Sequence, residues 1–176
     1  MMENEYLEML KTALEAEKKG QEFYEEVSKN TNNELGKKVF YFLAKDELAH
    51  IYAIKEFSKK LIGNEVLPDV QKVITRPHSK ADESIFNRSV KELKEQVGVD
   101  RDDLSAYKIA KKIEREGYNF YKEALLNATD DKVRKLLQFL IEEESMHYKL
   151  LEESYDYLAH PADWFANEER PIFEGG

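Results

Sequence analysis

Displaced by 97 residues, the chain aligns with itself: residues 13–57 fall on 110–154 without a gap, so Glu17 meets Glu114, Glu47 meets Glu144 and His50 meets His147. Ala13 and Ala110, Gly20 and Gly117, Phe23-Tyr24 and Phe120-Tyr121, and Phe42-Leu43 and Phe139-Leu140 correspond in the same register. A repeat of this length describes two copies of one supersecondary unit. Any two amphipathic hairpins share apolar positions. That explanation does not repeat glutamate and histidine on an otherwise apolar stripe.

Apolar residues recur at steps of three and four over roughly 4–29, 33–60, 103–127 and 131–158, which predicts four long helices. The first stripe runs Leu7, Leu10, Leu14, Glu17, Tyr24, Val27, and the second Leu35, Val39, Leu43, Glu47, His50, Ile54, Phe57. Asn30-Thr31-Asn32-Asn33 and Asn127-Ala128-Thr129-Asp130 are short polar breaks suited to helix ends and N-caps, so each helix pair should form an antiparallel hairpin. Residues 62–102 contain Gly63, Pro68, Pro77, Gly98 and a candidate helix over Ala81–Gln96, enough chain to cross from one end of a bundle to the other. The expectation is an all-α four-helix bundle over 1–160 with its crossover at about 62–102, followed by an irregular tail over 161–176 anchored by Trp164 and Phe165.

The ionisable residues on the stripes share one depth. From Glu17 to the turn at Thr31 a helix descends about 21 Å, and the return to Glu47 climbs about 24 Å. The spacing from Glu114 to Glu144 is the same as from Glu17 to Glu47, so the second hairpin repeats the arithmetic around Ala128. Glu47 and His50, like Glu144 and His147, lie three apart and project from one helix face. Six side chains thus converge on one layer. Four buried carboxylates need positive charge, because desolvation costs several kcal/mol per ion even after relaxation. Two divalent cations would balance them. The carboxylate and imidazole set suits two iron ions, and two manganese ions fit nearly as well.

Composition narrows the remaining options. The chain has 176 residues, 41% of them hydrophobic, enough for one domain with a sizeable core. It has no cysteine, which removes disulfides, thiolate nucleophiles and thiolate metal sites. A net charge of -9 opposes nucleic acid and anionic membranes as partners. Neither an apolar targeting segment nor a run of the roughly 18 apolar residues of a membrane span is present, so a soluble cytoplasmic protein is expected.

Several residues are assigned lesser roles. Glu15, Glu22, Glu116, Glu142 and Glu143 lie off the stripes and read as surface charges, as do His78 and His160 in the crossover and tail. Tyr24 and Tyr121 stand two turns beyond Glu17 and Glu114, where they either pack in the core or use their hydroxyls to orient a ligand carboxylate or supply an electron. Gly20 and Gly117, one turn after the glutamates, would each cost an exposed helix roughly 1 kcal/mol relative to Ala. Their pairing suggests close helix approach or space beside the metals.

Glu17-x-x-Gly20-x-x-Phe23-Tyr24, Glu47-x-x-His50, Glu114-x-x-Gly117-x-x-Phe120-Tyr121 and Glu144-x-x-His147 together resemble the rubrerythrin-like branch of the ferritin-like superfamily. The resemblance covers the four helices, and the tail Pro161–Pro171 also looks like that of short family members. It implies a ferritin-like di-iron bundle in which Glu47 and Glu144 bridge the metals, Glu17 and Glu114 are terminal ligands, and His50 and His147 bind one ion each. It further implies iron oxidation coupled to reduction of hydrogen peroxide in oxidative-stress defence. Two departures qualify this. The four cysteines of a rubredoxin domain are missing, so electrons would come from an external donor such as a rubredoxin-type protein. Family members often carry another glutamate three residues after the one matching Glu114, where this chain has Gly117.

A peroxide- or oxygen-reducing di-iron oxidoreductase, acting as a homodimer, is therefore the leading expectation. An iron-storing ferritin-like protein, a di-manganese catalase-like enzyme, a hydroxylase and a bundle with a non-catalytic metal site remain alternatives.

Overall fold

The computed structural model describes residues 3–74 and 101–160. The helical periodicity is realised as α1 (Glu3–Asn30), α2 (Glu34–Ile62), α3 (Val70–Val73), α4 (Arg101–Asn127) and α5 (Asp131–Ala159). The long helices match the predicted segments to within two residues at each end. The candidate helix over 81–96, His78 and the tail over 161–176 lie outside the described residues. The four-residue α3 was not anticipated; its start is marked by Asp69, whose carboxylate accepts from Gln71 N.

The polar breaks act as caps. Asn33 Oδ1 accepts from Gly36 N at 2.9 Å, and Asp130 Oδ1 accepts from Lys132 N and Val133 N at 2.8 and 3.0 Å. Each bond satisfies amide groups that the first helical turn leaves unpaired, typically stabilising the helix by about 1 kcal/mol. Arg134 closes the other side of the second turn by donating to the carbonyls of Leu125 and Ala128, at the end of α4. α2 ends at Gly63-Asn64, with Asn64 in the left-handed region at φ 49°, which asparagine tolerates better than most residues.

α1 packs along α2 and α4 along α5, and the hairpins meet through α1 with α4 and α2 with α5. Their relative direction follows from the core. One cluster joins Tyr24 and Leu35 near the first turn to Tyr107 and Leu158 near the open end of the second hairpin. The other joins Tyr6 and Phe57 at the open end of the first to Ala128 and Val133 at the second turn. The hairpins therefore run head to tail, so that α2 ends and α4 begins at opposite ends of the bundle. Fully buried residues such as Leu10, Phe40, Phe57 and Leu137 contribute roughly 1.5–3 kcal/mol each to holding the bundle.

Both ends are latched by polar side chains. Tyr6 Oη accepts from Thr129 N at 2.8 Å and Asp130 N at 3.0 Å, and Thr31 Oγ1 donates to Asp103 Oδ1 at 2.5 Å. Tyr6 and Asp103 are repeat counterparts, so unlike chemistry fastens equivalent positions to the opposing turn. These latches fix helix register, and with it the common depth of the layer between the two core clusters.

Candidate metal centre

That layer contains Glu17, Glu47, His50, Glu114, Glu144 and His147, all six buried. α1 supplies Glu17, α2 supplies Glu47 and His50, α4 supplies Glu114, and α5 supplies Glu144 and His147. Leu43 and Leu140, one turn before the helix-borne glutamates of α2 and α5, are fully buried and shield the layer. Phe139 sets its ring edge-on to His50 at 5.9 Å.

Among the described residues ligand atoms gather in three groups, one of them His50, Glu143 and His147, and the other two share the Glu47 carboxylate. Glu17, Glu47, His50 and Glu144 each place one donor atom within 4.8 Å of the others, as do Glu47, Glu114 and His147. His50 Nδ1 lies 3.0 Å from Glu17 Oε2 and 3.5 Å from Glu47 Oε2. On the other side, His147 Nδ1 lies 3.3 Å from Glu114 Oε2 and 3.4 Å from Glu47 Oε1. The two oxygens of Glu47 thus face the two imidazoles separately, the placement a bridging carboxylate requires. The histidine rings stack with centroids 5.5 Å apart.

The donor set fits metal. Glu114 Oε2 and His147 Nδ1 are enclosed and face each other, yet neither has a hydrogen bond. Such orphaned groups are rare and call for a missing partner. Carboxylate oxygens and imidazole nitrogens presenting lone pairs to one point suit a cation of the iron or manganese type.

The hydroxyls of the two tyrosines cross between hairpins. Tyr24 donates to Glu114 Oε1, and Tyr121 donates to Glu17 Oε1. Each terminal glutamate is thereby oriented by the other half of the molecule. Burial, then the neighbouring carboxylates, raises both phenols well above their ordinary pKa, so they remain donors.

Protonation without metal differs from simple repulsion among four anions. Burial pushes Glu17 up, but the His50 cation and hydrogen bonds outweigh it and hold the carboxyl at about 2. Burial likewise opposes ionisation of Glu114, and His147 overrides it to lower that carboxyl. Burial followed by the Glu17 charge raises Glu47 to about 8, and burial with Glu114 and Glu17 raises Glu144 well above the usual range. Both histidines are raised against their burial by the adjoining carboxylates. At neutral pH, two carboxylates and two imidazolium groups balance while Glu47 and Glu144 keep protons. Protons on the cluster thus offset part of the charge of the four glutamates, and cations that bind there must displace them.

One correction concerns Glu143, expected on the surface with Glu15, Glu22, Glu116 and Glu142. Those four are exposed, and so is His160, but Glu143 is buried with its Oε2 3.6 Å from His50 Nε2. Its repeat counterpart Asp46 places Oδ2 3.5 Å from His147 Nε2. In each case the outer nitrogen of a histidine faces an acid from the opposite hairpin, the kind of contact that orients a metal-binding imidazole. Helix periodicity places Glu143 off its own helix's stripe, but cannot show that a histidine from α2 reaches it. The legible signal was the repeat itself, which puts an acid directly before Glu47 and Glu144 alike.

Gly20 and Gly117 are not equivalent. A Cβ on Gly20 would make ordinary contact with Glu47 Cδ at 3.8 Å, whereas one on Gly117 would stand 2.8 Å from Glu144 Oε2 and 3.0 Å from its Cδ. Gly117 therefore accommodates the Glu144 carboxylate, and a larger residue there would displace it.

Among the described residues, no helix is long and apolar enough to cross a membrane. No curated protein and no solved structure matches the chain. The family model described as Rubrerythrin matches residues 8–155, spanning both hairpins and every member of the buried cluster. Proteins of that family bind di-iron centres and act in general as di-iron oxidoreductases that reduce peroxide. By fold, ligand pattern and that match, the chain belongs to the rubrerythrin family.

Proposed function

We propose that this protein holds two iron ions between Glu17, Glu47, His50, Glu114, Glu144 and His147 and reduces hydrogen peroxide with electrons from an external protein donor. The observation that supports the reading is the sharing of Glu47 between two buried ligand groups in one enclosed layer. When bound, the ions supply two electrons and open positions for an oxidant, because roughly four protein donors per ion fall short of the about six that octahedral iron takes.

The chain's own groups do the rest. Glu47 and Glu144 would have to give up their protons, and His50 and His147 to be neutral, for these side chains to hold the ions. Tyr24 and Tyr121 keep Glu114 and Glu17 from swinging away, while Asp46 and Glu143 face the outer nitrogens of His147 and His50 at 3.5 and 3.6 Å. Reduction of one peroxide to two waters consumes two electrons and two protons. The extra glutamate found in many family members has no counterpart at Gly117, where the space is taken by Glu144, so that position adds no ligand.

Reduced, iron-loaded protein is expected to consume one peroxide per site, gain near-ultraviolet absorbance and return to its starting spectrum when reductant is added. A centre that stays spectrally silent through repeated peroxide additions while retaining both ions would favour a structural metal site. Oxygen release without a reductant would favour a catalase-like reaction.

A further inference from the structure

The third ligand group lies beside the two-ion layer rather than within it. His50, Glu143 and His147 each place one donor atom within 4.8 Å of the others, and all three are buried. None of the four glutamates of the layer belongs to this group. Its carboxylate is the one nearest solvent, Glu143 being 8% exposed against 4% or less for those four.

His50 presents a different nitrogen to each side. Its Nδ1 is hydrogen-bonded to Glu17 Oε2 at 3.0 Å, and its Nε2, enclosed and without a hydrogen bond, stands 3.6 Å from Glu143 Oε2. An ionised carboxylate only accepts, so the proton of the first bond sits on Nδ1. When the ring gives up a proton to a cation, keeping that bond leaves the lone pair on Nε2, facing Glu143. Both ring nitrogens of His147 are also enclosed without a hydrogen bond. Buried polar atoms in that state are rare and call for a partner.

The repeat does not duplicate the group. Asp46, the counterpart of Glu143, is one methylene shorter; it faces His147 at 3.5 Å, yet joins no ligand group among the described residues. The six ligands of the layer are paired between the hairpins and the outer group is one-sided, so it is not a by-product of building the layer.

We infer that His50, Glu143 and His147 form a single-ion site for zinc, exclusive of the iron pair. Two imidazoles and one carboxylate, with a fourth position open to water, suit tetrahedral zinc. With zinc bonds of about 2.0–2.1 Å, two tetrahedral donors stand roughly 3.3 Å apart, close to the 3.6 Å between His50 Nε2 and Glu143 Oε2. For a given set of nitrogen and oxygen donors, zinc binds more tightly than ferrous iron. Exclusion follows from the imidazole itself. A neutral ring has one lone pair, so His50 serves the outer ion through Nε2 or the layer through Nδ1, and not both. A zinc ion in the outer group thus withdraws the histidines from the layer, while His50 keeps its bond to Glu17. The zinc site stands on its own three residues, whereas the exclusion of iron rests on the two-ion reading above.

The test titrates the metal-free full chain with zinc, and with cobalt as a coloured substitute that absorbs strongly in the visible when four-coordinate. The first cobalt ion per chain is expected to give that absorption, and one zinc per chain to displace it and block uptake of both ferrous ions. Glu143→Gln should remove the four-coordinate spectrum and weaken zinc roughly tenfold or more beyond any effect on ferrous iron, of which two ions are still taken up. Glu143→Asp, which reproduces the shorter Asp46 and keeps the charge, should act in the same direction and serves if the first variant fails to fold. Glu114→Gln, in the layer but outside this group, should lose iron while zinc affinity stays within about twofold. A first cobalt ion that absorbs only weakly, or a four-coordinate spectrum that survives both Glu143 substitutions, would overturn the site. So would equal losses of zinc and iron in Glu143→Gln, the pattern of a residue that only orients His50. Two ferrous ions bound beside a retained zinc would overturn the exclusion. A chain that gives the cobalt spectrum but never takes up two ferrous ions would count against the two-ion reading and leave the zinc site standing.

Discussion

The two hairpins present the same six-ligand plan in different surroundings. Around the layer, Tyr24, Phe40 and Tyr107 are in contact at the first hairpin's end of the core, and at the second's end Leu10 and Leu137 take the repeat positions of Tyr107 and Phe40 beside Tyr6, Phe57 and Tyr121. Gly20 has room for a methyl group, whereas Gly117 does not. The outer face of α2 is basic and apolar, and that of α5 is polar with three acids among its exposed stripe. The six ligands and their tyrosines agree between halves, whereas the latches Tyr6 and Asp103 and the outer faces of α2 and α5 diverge. The comparison separates the residues required by the site from those that merely build a bundle around it.

The largest expected effect breaks the symmetric part. Glu144→Ala removes a carboxylate lying between Glu17 and Glu114, and should lose most bound metal after dialysis. Tyr121→Phe removes only an orienting hydroxyl and should weaken affinity about tenfold. Equal metal content in the two variants would show that Glu144 does not ligate.

A smaller effect separates the two glycines. Gly117→Ala forces the Glu144 carboxylate to shift, and should weaken metal binding by roughly tenfold, measured by competition with a chelator. Gly20→Ala meets only ordinary contacts at 3.8 Å and gains helix propensity, so it should leave affinity unchanged and raise stability by up to about 1 kcal/mol. Equal responses would erase the distinction between the halves.

The smallest effect is a pH dependence that both halves share. Glu47 binds its proton more tightly in the fold, so its contribution is complete below its unfolded value near 4.5 and is lost as pH rises through about 8. Glu144, His50 and His147, also raised, act in the same direction. Glu17 and Glu114 act oppositely, contributing above the unfolded value and losing that contribution in acid, for Glu17 as pH falls toward about 2. The metal-free protein should therefore lose thermal stability between pH 6 and 9 while the metal-bound form changes little, a gap that differential scanning calorimetry would read. A constant gap would mean that the cluster keeps no protons.

Much of this was legible in the sequence because helical periodicity and a 97-residue repeat are local and translational signals. They fixed the four long helices, the caps at Asn33 and Asp130 and the depth of the six ligands. What escaped depends on contact between hairpins. Glu143 lies off its own helix's stripe and becomes buried through His50 of the other hairpin. The tyrosine hydroxyls were placed two turns from the glutamates of their own helices, but their hydrogen bonds go to Glu114 and Glu17 across the bundle. The unequal space beside Gly20 and Gly117 depends on the rotamers of Glu47 and Glu144, which no spacing rule encodes.

The central claim, that both hairpins complete one two-ion site, is tested most directly by anaerobic titration of metal-free protein with ferrous iron, following bound metal and released protons together. The account predicts saturation at two ions per chain with about four protons released at pH 7, one each from Glu47, Glu144, His50 and His147. Saturation at one ion, or two ions bound without proton release, would contradict it.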